Sequence, residues 1–169
     1  MKKYVFGIII LLIVLYFMGP APAAPVLNPE PSWKAIPDSV EAVKSYVDSL
    51  EALNKNLKDN NQGKVVFADS LSPKKTKIVF LYVHGFSASQ MEGDPVHRDL
   101  AKTFGANLVL ARIAGHGERT TEHNMEHLTA DEMYQSVENY YAIAKKLGEN
   151  IGAAVVIDNR GGAGGTIGV

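Results

Sequence analysis

The chain has no cysteine, one tryptophan and no excess of charge of either sign among its 169 residues. Without cysteine it can form neither a disulfide framework nor a thiolate metal site. Its 17 basic and 18 acidic residues leave a formal net charge of -1, so nothing in the charge balance favours a nucleic acid partner. These absences exclude small disulfide-stabilised domains, cysteine-ligated zinc proteins and basic nucleic-acid binders.

The one long apolar run stands at the N-terminus. Lys2 and Lys3 precede the apolar residues 5–18, and the small-residue stretch 21–24 follows with an A-x-A pattern. A positive start, a short apolar centre and small residues at a cleavage point are typical of an export signal. We therefore predict an exported protein, periplasmic or otherwise extracytoplasmic, in which residues 1–24 are either a signal peptide or a transmembrane anchor. An anchor would make the membrane a partner of this segment.

Residues 25–63 are predicted to form a proline-rich tether followed by an amphipathic helix. The prolines of 20–37 favour an extended chain. Asp38 and Glu41 have the spacing of a capping box at a helix start. An apolar stripe then continues at helical spacing through Val40, Val43, Val47, Leu50 and Leu53.

The rest of the chain, 64–169, alternates predicted strands with predicted helices. Helices are expected to begin at Asp94-Pro95 and at a second capping box, Thr129 to Glu132. This alternation predicts a parallel α/β sheet that binds ligands at the carboxyl ends of its strands. No helix follows the last strand, so the sheet is expected to be incomplete at its C-terminus. The predicted strands are Lys64–Asp69, Ile78–Val83, Leu108–Ala111 and Ala153–Ile157.

The segment Val83-His84-Gly85-Phe86-Ser87-Ala88-Ser89, directly after a buried strand, resembles the His-Gly signature of α/β-hydrolases. The resemblance covers about residues 78–148, because "GDPVHRDLAKTFGANLVLARIAGHGE" and "LTADEMYQSVENYYAIAKKLG" are similar to the helix, strand and helix that follow in that family. It implies the N-terminal portion of an α/β-hydrolase-type sheet. It also implies an esterase- or lipase-like activity on a small-molecule ester or acyl substrate, without a cofactor.

In that family the residue after His-Gly donates its backbone N–H to the oxyanion hole, and in this sequence that residue is Phe86. His84 and Gly85 complete the motif. His84 is interpreted as a structural histidine, since the catalytic histidine of the family comes last in chain order. His97 is expected to lie exposed on the first helix of this region, and Ser87 and Ser89 are expected to be loop hydroxyls.

Gly161 and Gly165 bound a segment with the outline of G-x-S-x-G, the nucleophile elbow of serine hydrolases. The central position holds Ala163, which has no hydroxyl to attack a carbonyl. A catalytic acid and histidine are also absent from the positions that the family would use. The sequence therefore predicts hydrolase ancestry and an inactive chain, in which no catalytic residue can be named.

Two other patterns leave other functions open. "VVIDNRGGAGGTIG", residues 155–168, resembles a segment of bacterial tripartite-tricarboxylate receptor proteins, which are periplasmic solute-binding proteins. That resemblance implies backbone amides that bind a small carboxylate, on a tail that is foreign or divergent from about residue 149. Residues 123–127 match the H-x-x-E-H pattern of zinc peptidases through His123, Glu126 and His127. Because the match precedes the helix cap at Thr129, a loop is expected there and no metal site.

Overall fold

A computed structural model describes residues 2–19, 30–119, 125, 127–149 and 154–158. Within these residues the chain forms α-helices, strands and one short 3₁₀ helix. The elements in chain order are α1 (Lys2–Met18), α2 (Val40–Glu51), β1 (Lys64–Val66), β2 (Val79–Val83), the 3₁₀ helix Gln90–Gly93, α3 (Val96–Thr103), β3 (Asn107–Leu110), α4 (Ala130–Leu147) and β4 (Ala154–Asp158).

The four strands form one mixed sheet in the order β1-β3-β2-β4. The central strand β2 runs parallel to both neighbours, with Val79 opposite Asn107 of β3 and Ala154 of β4. β1 runs antiparallel to β3, with Lys64 opposite Leu110. The α/β class predicted from the sequence is confirmed, but the prediction of an entirely parallel sheet is wrong at this edge. The link 67–78 contains no helix, and a parallel crossover usually needs one whereas an antiparallel relation does not.

Helices cover both faces of the sheet. The strand β2 is therefore buried along its whole length. Its side chains alternate between two apolar clusters, as successive residues of a strand must. Val79, Leu81 and Val83 face α2 and α4. Phe80 and Tyr82 lie in the second cluster, which includes Ala101 of α3. The prediction of a strand buried on both faces is therefore confirmed.

The predicted start of α4 is confirmed in detail. Thr129 is the N-cap residue, and its hydroxyl accepts a hydrogen bond from the Glu132 N–H at 3.2 Å. The Glu132 carboxylate in turn accepts from the Thr129 N–H at 2.9 Å. This reciprocal pair is a capping box, and it fixes the start of α4.

The other two predicted helix starts are shifted. α2 is capped by Ser39, whose hydroxyl accepts from the Ala42 N–H at 3.2 Å. Asp38 instead forms an ion pair with Lys146 of α4. In α3, Pro95 is the N-cap residue and no side chain caps the helix, so Asp94 is not the cap that the sequence predicted.

The described part of the proline-rich segment, residues 30–39, lies against α4. The Trp33 N–H donates to Asn139 Oδ1 at 3.0 Å. The Trp33 ring also packs edge-to-face on Tyr140, with centroids 4.9 Å apart. These contacts hold residues 30–39 on the surface of the domain.

The prediction of a transmembrane anchor is wrong. α1 has 17 residues, which at 1.5 Å per residue gives a length of about 26 Å, whereas the hydrocarbon core is about 30 Å thick. Among the described residues, no helix combines the length and the hydropathy that crossing a bilayer requires.

Asn107, the first residue of β3, joins three segments at the amino ends of the parallel strands. Its side-chain carbonyl accepts from the Ala68 N–H at 3.0 Å. Its amide group donates to Lys74 O at 2.9 Å and to Leu147 O at 3.2 Å. One buried side chain thus holds the link before β2 and the end of α4 to the sheet.

Candidate functional site

The candidate site lies at the carboxyl end of the parallel strands. Val83, the last residue of β2, is opposite Asp158 of β4, and Tyr82 is opposite Leu110 of β3. The turn that begins at His84 and the loop that follows Leu110 therefore meet at one edge of the sheet. This is the edge at which α/β sheets bind ligands.

His84 joins these two segments. It is 2% exposed. Its Nδ1 lies 2.9 Å from Gly85 O, and its Nε2 accepts a hydrogen bond from the Ile113 N–H at 3.2 Å. Because Nε2 accepts, the ring proton sits on Nδ1, which donates to the carbonyl. Burial lowers the pKa of His84, and the hydrogen bond to Gly85 opposes this only in part. His84 is a neutral structural histidine, as the sequence predicted.

Residues 85–88 form a tight turn directly after His84. The Ala88 N–H donates to Gly85 O at 3.2 Å, and Ser87 has a φ of 66°. A positive φ at the third position of a four-residue turn, with a negative φ before it, is the signature of a type II turn. Glu92 Oε2 accepts from the Gly85 N–H at 3.2 Å and fixes the turn to the 3₁₀ helix.

The backbone N–H of Phe86 makes no hydrogen bond to any residue that the structure describes. The side chain of Phe86 is 63% exposed, so the turn lies at the protein surface. The Ser87 N–H likewise makes no hydrogen bond to a described residue, so the turn presents the backbone donors of Phe86 and Ser87 in a conformation held by His84 and Glu92.

His116, in the loop after β3, packs beside this turn and is 2% exposed. Its ring centroid lies 5.1 Å from that of His84 and 5.7 Å from that of Phe86, the latter edge-to-face. Its Nδ1 lies 2.9 Å from Ala114 O, and its Nε2 is buried without a hydrogen-bond partner among the described residues. The resemblance to hydrolases includes this histidine in the Gly-His-Gly loop but gave it no role.

A second polar cluster in the same loop region centres on Glu51, the last residue of α2. Arg112 binds both carboxylate oxygens, with Nε 2.6 Å from Oε2. The Tyr140 hydroxyl donates at 2.6 Å and the Gly63 N–H at 3.0 Å. Burial opposes the charge of Arg112, but Glu51 outweighs it and raises the pKa of the guanidinium. Burial and Glu51 together raise the pKa of Tyr140 well above its usual range.

Sequence reasoning missed this cluster, although a signal was present. Glu51 continues the apolar stripe of Val40, Val43 and Val47 at helical spacing, and a carboxylate at such a position needs a buried partner. The prediction placed Leu53 on that stripe instead. Leu53 is 75% exposed, because α2 ends at Glu51.

A cleft of about 770 Å³ lies beside Glu51 and is separate from the Phe86 turn. Lys44, Asp48, Lys64 and Asp59 contribute charges of both signs to its lining. Lys44 and Asp48 pair with each other, and Asp59 pairs with Arg119. Since these charges are mostly satisfied within the protein, the cleft offers no clear selection for a charged ligand.

The prediction that His97 is exposed is wrong. His97 is 2% exposed, its Nε2 lies 2.9 Å from Gln90 O, and its ring packs edge-to-face on Tyr82 at 4.7 Å. The short helix α3 turns this residue toward the second apolar cluster. His97 is therefore part of the core beneath the site and does not face solvent.

The remaining predicted sites fall outside the described residues. This holds for the elbow residues Gly161, Ala163 and Gly165, for residues 159–168 of the tail that resembles a tricarboxylate receptor, and for His123 and Glu126 of the zinc pattern. His127 is described, and it is exposed ahead of the α4 cap. Within the described ranges no group of three or more His, Cys, Asp or Glu side chains could hold a metal ion.

Comparison with protein-family models finds no match for this chain. Comparison with curated protein sequences likewise finds no match. The resemblance to α/β-hydrolases and that to tricarboxylate receptors both stay predictions.

Proposed function

We propose that this chain is an α/β-hydrolase-type protein that binds the carbonyl of a small acyl or ester compound at the turn after β2. Its free backbone donor, the Phe86 N–H, would contact the carbonyl oxygen. Because Ala163 stands at the elbow position, the proposed function is binding without hydrolysis. The observation that carries the proposal is the free Phe86 N–H in a turn fixed by His84 and Glu92.

The neighbourhood of β2 and β4 supports this proposal. A hydrolase oxyanion hole combines an amide from the loop after the third strand with the amide that follows the nucleophile. The strand that carries His-Gly must therefore lie close to the strand that leads to the elbow. Here β2 pairs in parallel with β4, and Val83 is opposite Asp158. Chain order then places residues 161–165 shortly after the end of β4.

The rigidity of the turn also supports the proposal. A donor stabilises negative charge on an oxygen best when it is fixed before the ligand arrives, since no free energy is then spent on reorganisation. The Gly85 N–H bond to Glu92 and the Gly85 O bonds to His84 and Ala88 supply that rigidity. Gly85 takes these roles and leaves Phe86 free.

The test uses the full ¹⁵N-labelled chain and methylphosphonate, which mimics a tetrahedral oxyanion. We expect a saturable downfield shift of the Phe86 amide proton as methylphosphonate is added. Two variants isolate the donor: Phe86→Ala keeps the N–H, whereas Phe86→Pro removes it and suits the second position of a type II turn. Methylphosphonate should bind to Phe86→Ala and bind at least about tenfold more weakly to Phe86→Pro. Equal affinity in the two variants would refute the proposal.

A second test addresses the elbow. The full chain should not react with fluorophosphonate probes, because Ala163 has no hydroxyl. Labelling of the Ala163→Ser variant at that position, read by peptide mass spectrometry, would support the elbow alignment. Labelling of Ser87 or Ser89 in the unmodified chain would contradict the proposal, since both are assigned here as loop hydroxyls.

We also propose that the protein is exported, on the basis of Lys2, Lys3 and the A-x-A pattern before residue 25. Expression in a bacterium followed by intact-mass measurement tests this. Removal of residues 1–24 and recovery outside the cytoplasm is the expected result. An intact chain found only in the cytoplasm would contradict it.

A further inference from the structure

The loop after β3 places one unused hydrogen-bond acceptor next to the Phe86 turn. His116 Nδ1 lies 2.9 Å from Ala114 O, so in the neutral ring Nδ1 donates to this carbonyl and Nε2 is the acceptor. Nε2 is buried and meets no donor among the described residues. Buried acceptors in folded proteins are nearly always satisfied, so an exception calls for an explanation, and a ligand group that donates to it is one.

The backbone of this loop holds the His116 ring in place. The flanking residues Gly115 and Gly117 have φ values of 71° and 75°, a region that side-chain-bearing residues rarely adopt. A methyl group at Gly117 would lie 2.8 Å from Cβ of Asn61. The His116 N–H also donates to Ile113 O at 3.1 Å. The acceptor is therefore built into the loop and does not belong to a mobile surface side chain.

Both ring neighbours of His116 belong to the candidate site. His84 lies 5.1 Å away on one side, and Phe86, whose N–H is the free donor, lies 5.7 Å away on another. The Phe86 ring is 63% exposed and the His116 ring 2%. Of these two packed rings, that of Phe86 therefore lies nearer to solvent. Displacement of that ring would open His116 Nε2 to a ligand held at the turn.

We propose that His116 Nε2 accepts a hydrogen bond from a hydroxyl or N–H group of the ligand, on the carbon next to the carbonyl that Phe86 N–H binds. This inference rests on the proposed function. It narrows the ligand class to acyl compounds with a polar donor beside the carbonyl, such as 2-hydroxyacyl or N-acylamino compounds. A site built to accept such a hydrogen bond discriminates against the analogue that lacks it, because its buried acceptor is then left unpaired.

The test compares hydroxymethylphosphonate with methylphosphonate on the full chain, with affinities measured by amide chemical shifts. The two probes differ by one hydroxyl beside the tetrahedral centre. We expect hydroxymethylphosphonate to bind about fivefold more tightly, the effect of one net hydrogen bond. His116→Asn keeps a donor for Ala114 O but removes the Nε2 acceptor, so it should bring the affinities of the two probes together. His116→Gln, which carries an amide oxygen near the Nε2 position, should restore part of the preference.

The outcomes separate the two proposals. A shift of the Phe86 amide with equal affinity for both probes would overturn the role of His116 and leave the Phe86 site intact. No shift of the Phe86 amide with either probe would overturn the proposed function and this inference with it. Urea unfolding shows whether each variant folds. If His116→Asn does not fold, the two probes are compared on the unmodified chain and on His116→Gln. Equal affinity for the two probes on the unmodified chain would still overturn the role of His116.

Discussion

The loop after β3 takes part in two polar clusters that differ in how completely their hydrogen bonds are formed. At Arg112, the buried carboxylate of Glu51 receives hydrogen bonds from the guanidinium, from Tyr140 and from Gly63. Four residues further on, His116 Nε2 has no partner among the described residues, and neither has the nearby Phe86 N–H. Both clusters include residues of the same loop, so they can be compared directly.

A saturated buried cluster holds its elements together and has no free group for a ligand. An unsaturated one costs stability, and in the proposed function a ligand completes it. From this comparison we expect Glu51 to serve the stability of the fold, and the proposed function would give His116 and Phe86 a part in binding. The following predictions test this division, from the largest expected effect to the smallest.

Removal of the Glu51 carboxylate should have the largest effect on the fold. Glu51→Ala leaves the partly buried Arg112 guanidinium and the buried Tyr140 hydroxyl without their partner, and breaking a buried pair costs about 3–5 kcal/mol, a range whose lower end applies to this pair. Urea unfolding measures the loss. The matched control is Asp48→Ala on the same helix, whose exposed pair with Lys44 is worth less than about 0.5 kcal/mol. Similar losses in the two variants would show that the cluster does not hold the fold together.

Close packing around the saturated cluster should make Gly63 intolerant of a side chain. A methyl group there would overlap the Tyr140 hydroxyl and lie 2.5 Å from Cζ. Because Tyr140 is buried and bonded to Glu51, it cannot move away without cost, and we expect Gly63→Ala to lose at least about 1–3 kcal/mol.

Gly105→Ala serves as the control for Gly63→Ala. Gly105 has open space around it but a φ of 56°, so its variant costs only the backbone term of about 1–2 kcal/mol. Urea unfolding measures the free energy of unfolding of each variant. The same measurement is made on Gly63→Ala combined with Tyr140→Phe. A smaller penalty in the Tyr140→Phe background is expected, since part of the overlap is then removed.

The pH dependence of stability should report on His84 beneath the turn. Its pKa is lowered in the folded chain, whereas the unfolded chain titrates near the ordinary value of about 6.5. As the pH falls below that value, the unfolded state binds a proton first, so the free energy of unfolding decreases. Urea unfolding between pH 7.5 and pH 5.0 should show this loss, and His84→Asn should reduce the slope. If His84→Asn leaves the slope of unfolding free energy against pH unchanged, the loss of stability at low pH does not come from His84.

The smallest effect concerns the backbone of the turn itself. Ser87 has a φ of 66°, so Ser87→Gly removes a steric penalty but increases the entropy of the unfolded chain. We expect a net stabilisation of about 0.5 kcal/mol, with the Phe86 amide still shifted by methylphosphonate. Ser89→Gly is the control, because Ser89 has a φ of -144° and accepts the Met91 N–H as a cap. A destabilised Ser87→Gly would mean that the turn does not have this conformation.

Local patterns in the sequence predicted much of the fold. The capping box at Thr129 and the apolar runs of β2 and β3 depend on residues close together in the chain, and all three are found close to where the sequence placed them. The structural role of His84 was predicted as well. The start of α2 was missed by one residue, because Asp38 and Ser39 are both good caps and the choice depends on the distant Lys146.

Tertiary pairing explains what the sequence could not predict. Arg112 is 61 positions from Glu51 and Tyr140 is 89, so no local pattern links them. The burial of His97 depends likewise on Tyr82, which lies on a different element. No sequence pattern predicts that His116 Nε2 has no hydrogen-bond partner among the described residues. That property depends on which distant residues the folded loop contacts.

The side chain of Asn107 has a consequence for the slow motions of the domain. It binds Ala68, Lys74 and Leu147 at once, so none of these segments can open without breaking a bond to the same residue. The amide protons of Ala68 and Asn107 should then exchange with deuterium at matching rates, as one cooperative opening unit. The turn at Phe86 lies at the opposite ends of the strands, so it could exchange a ligand of the proposed kind while this end of the sheet stays closed.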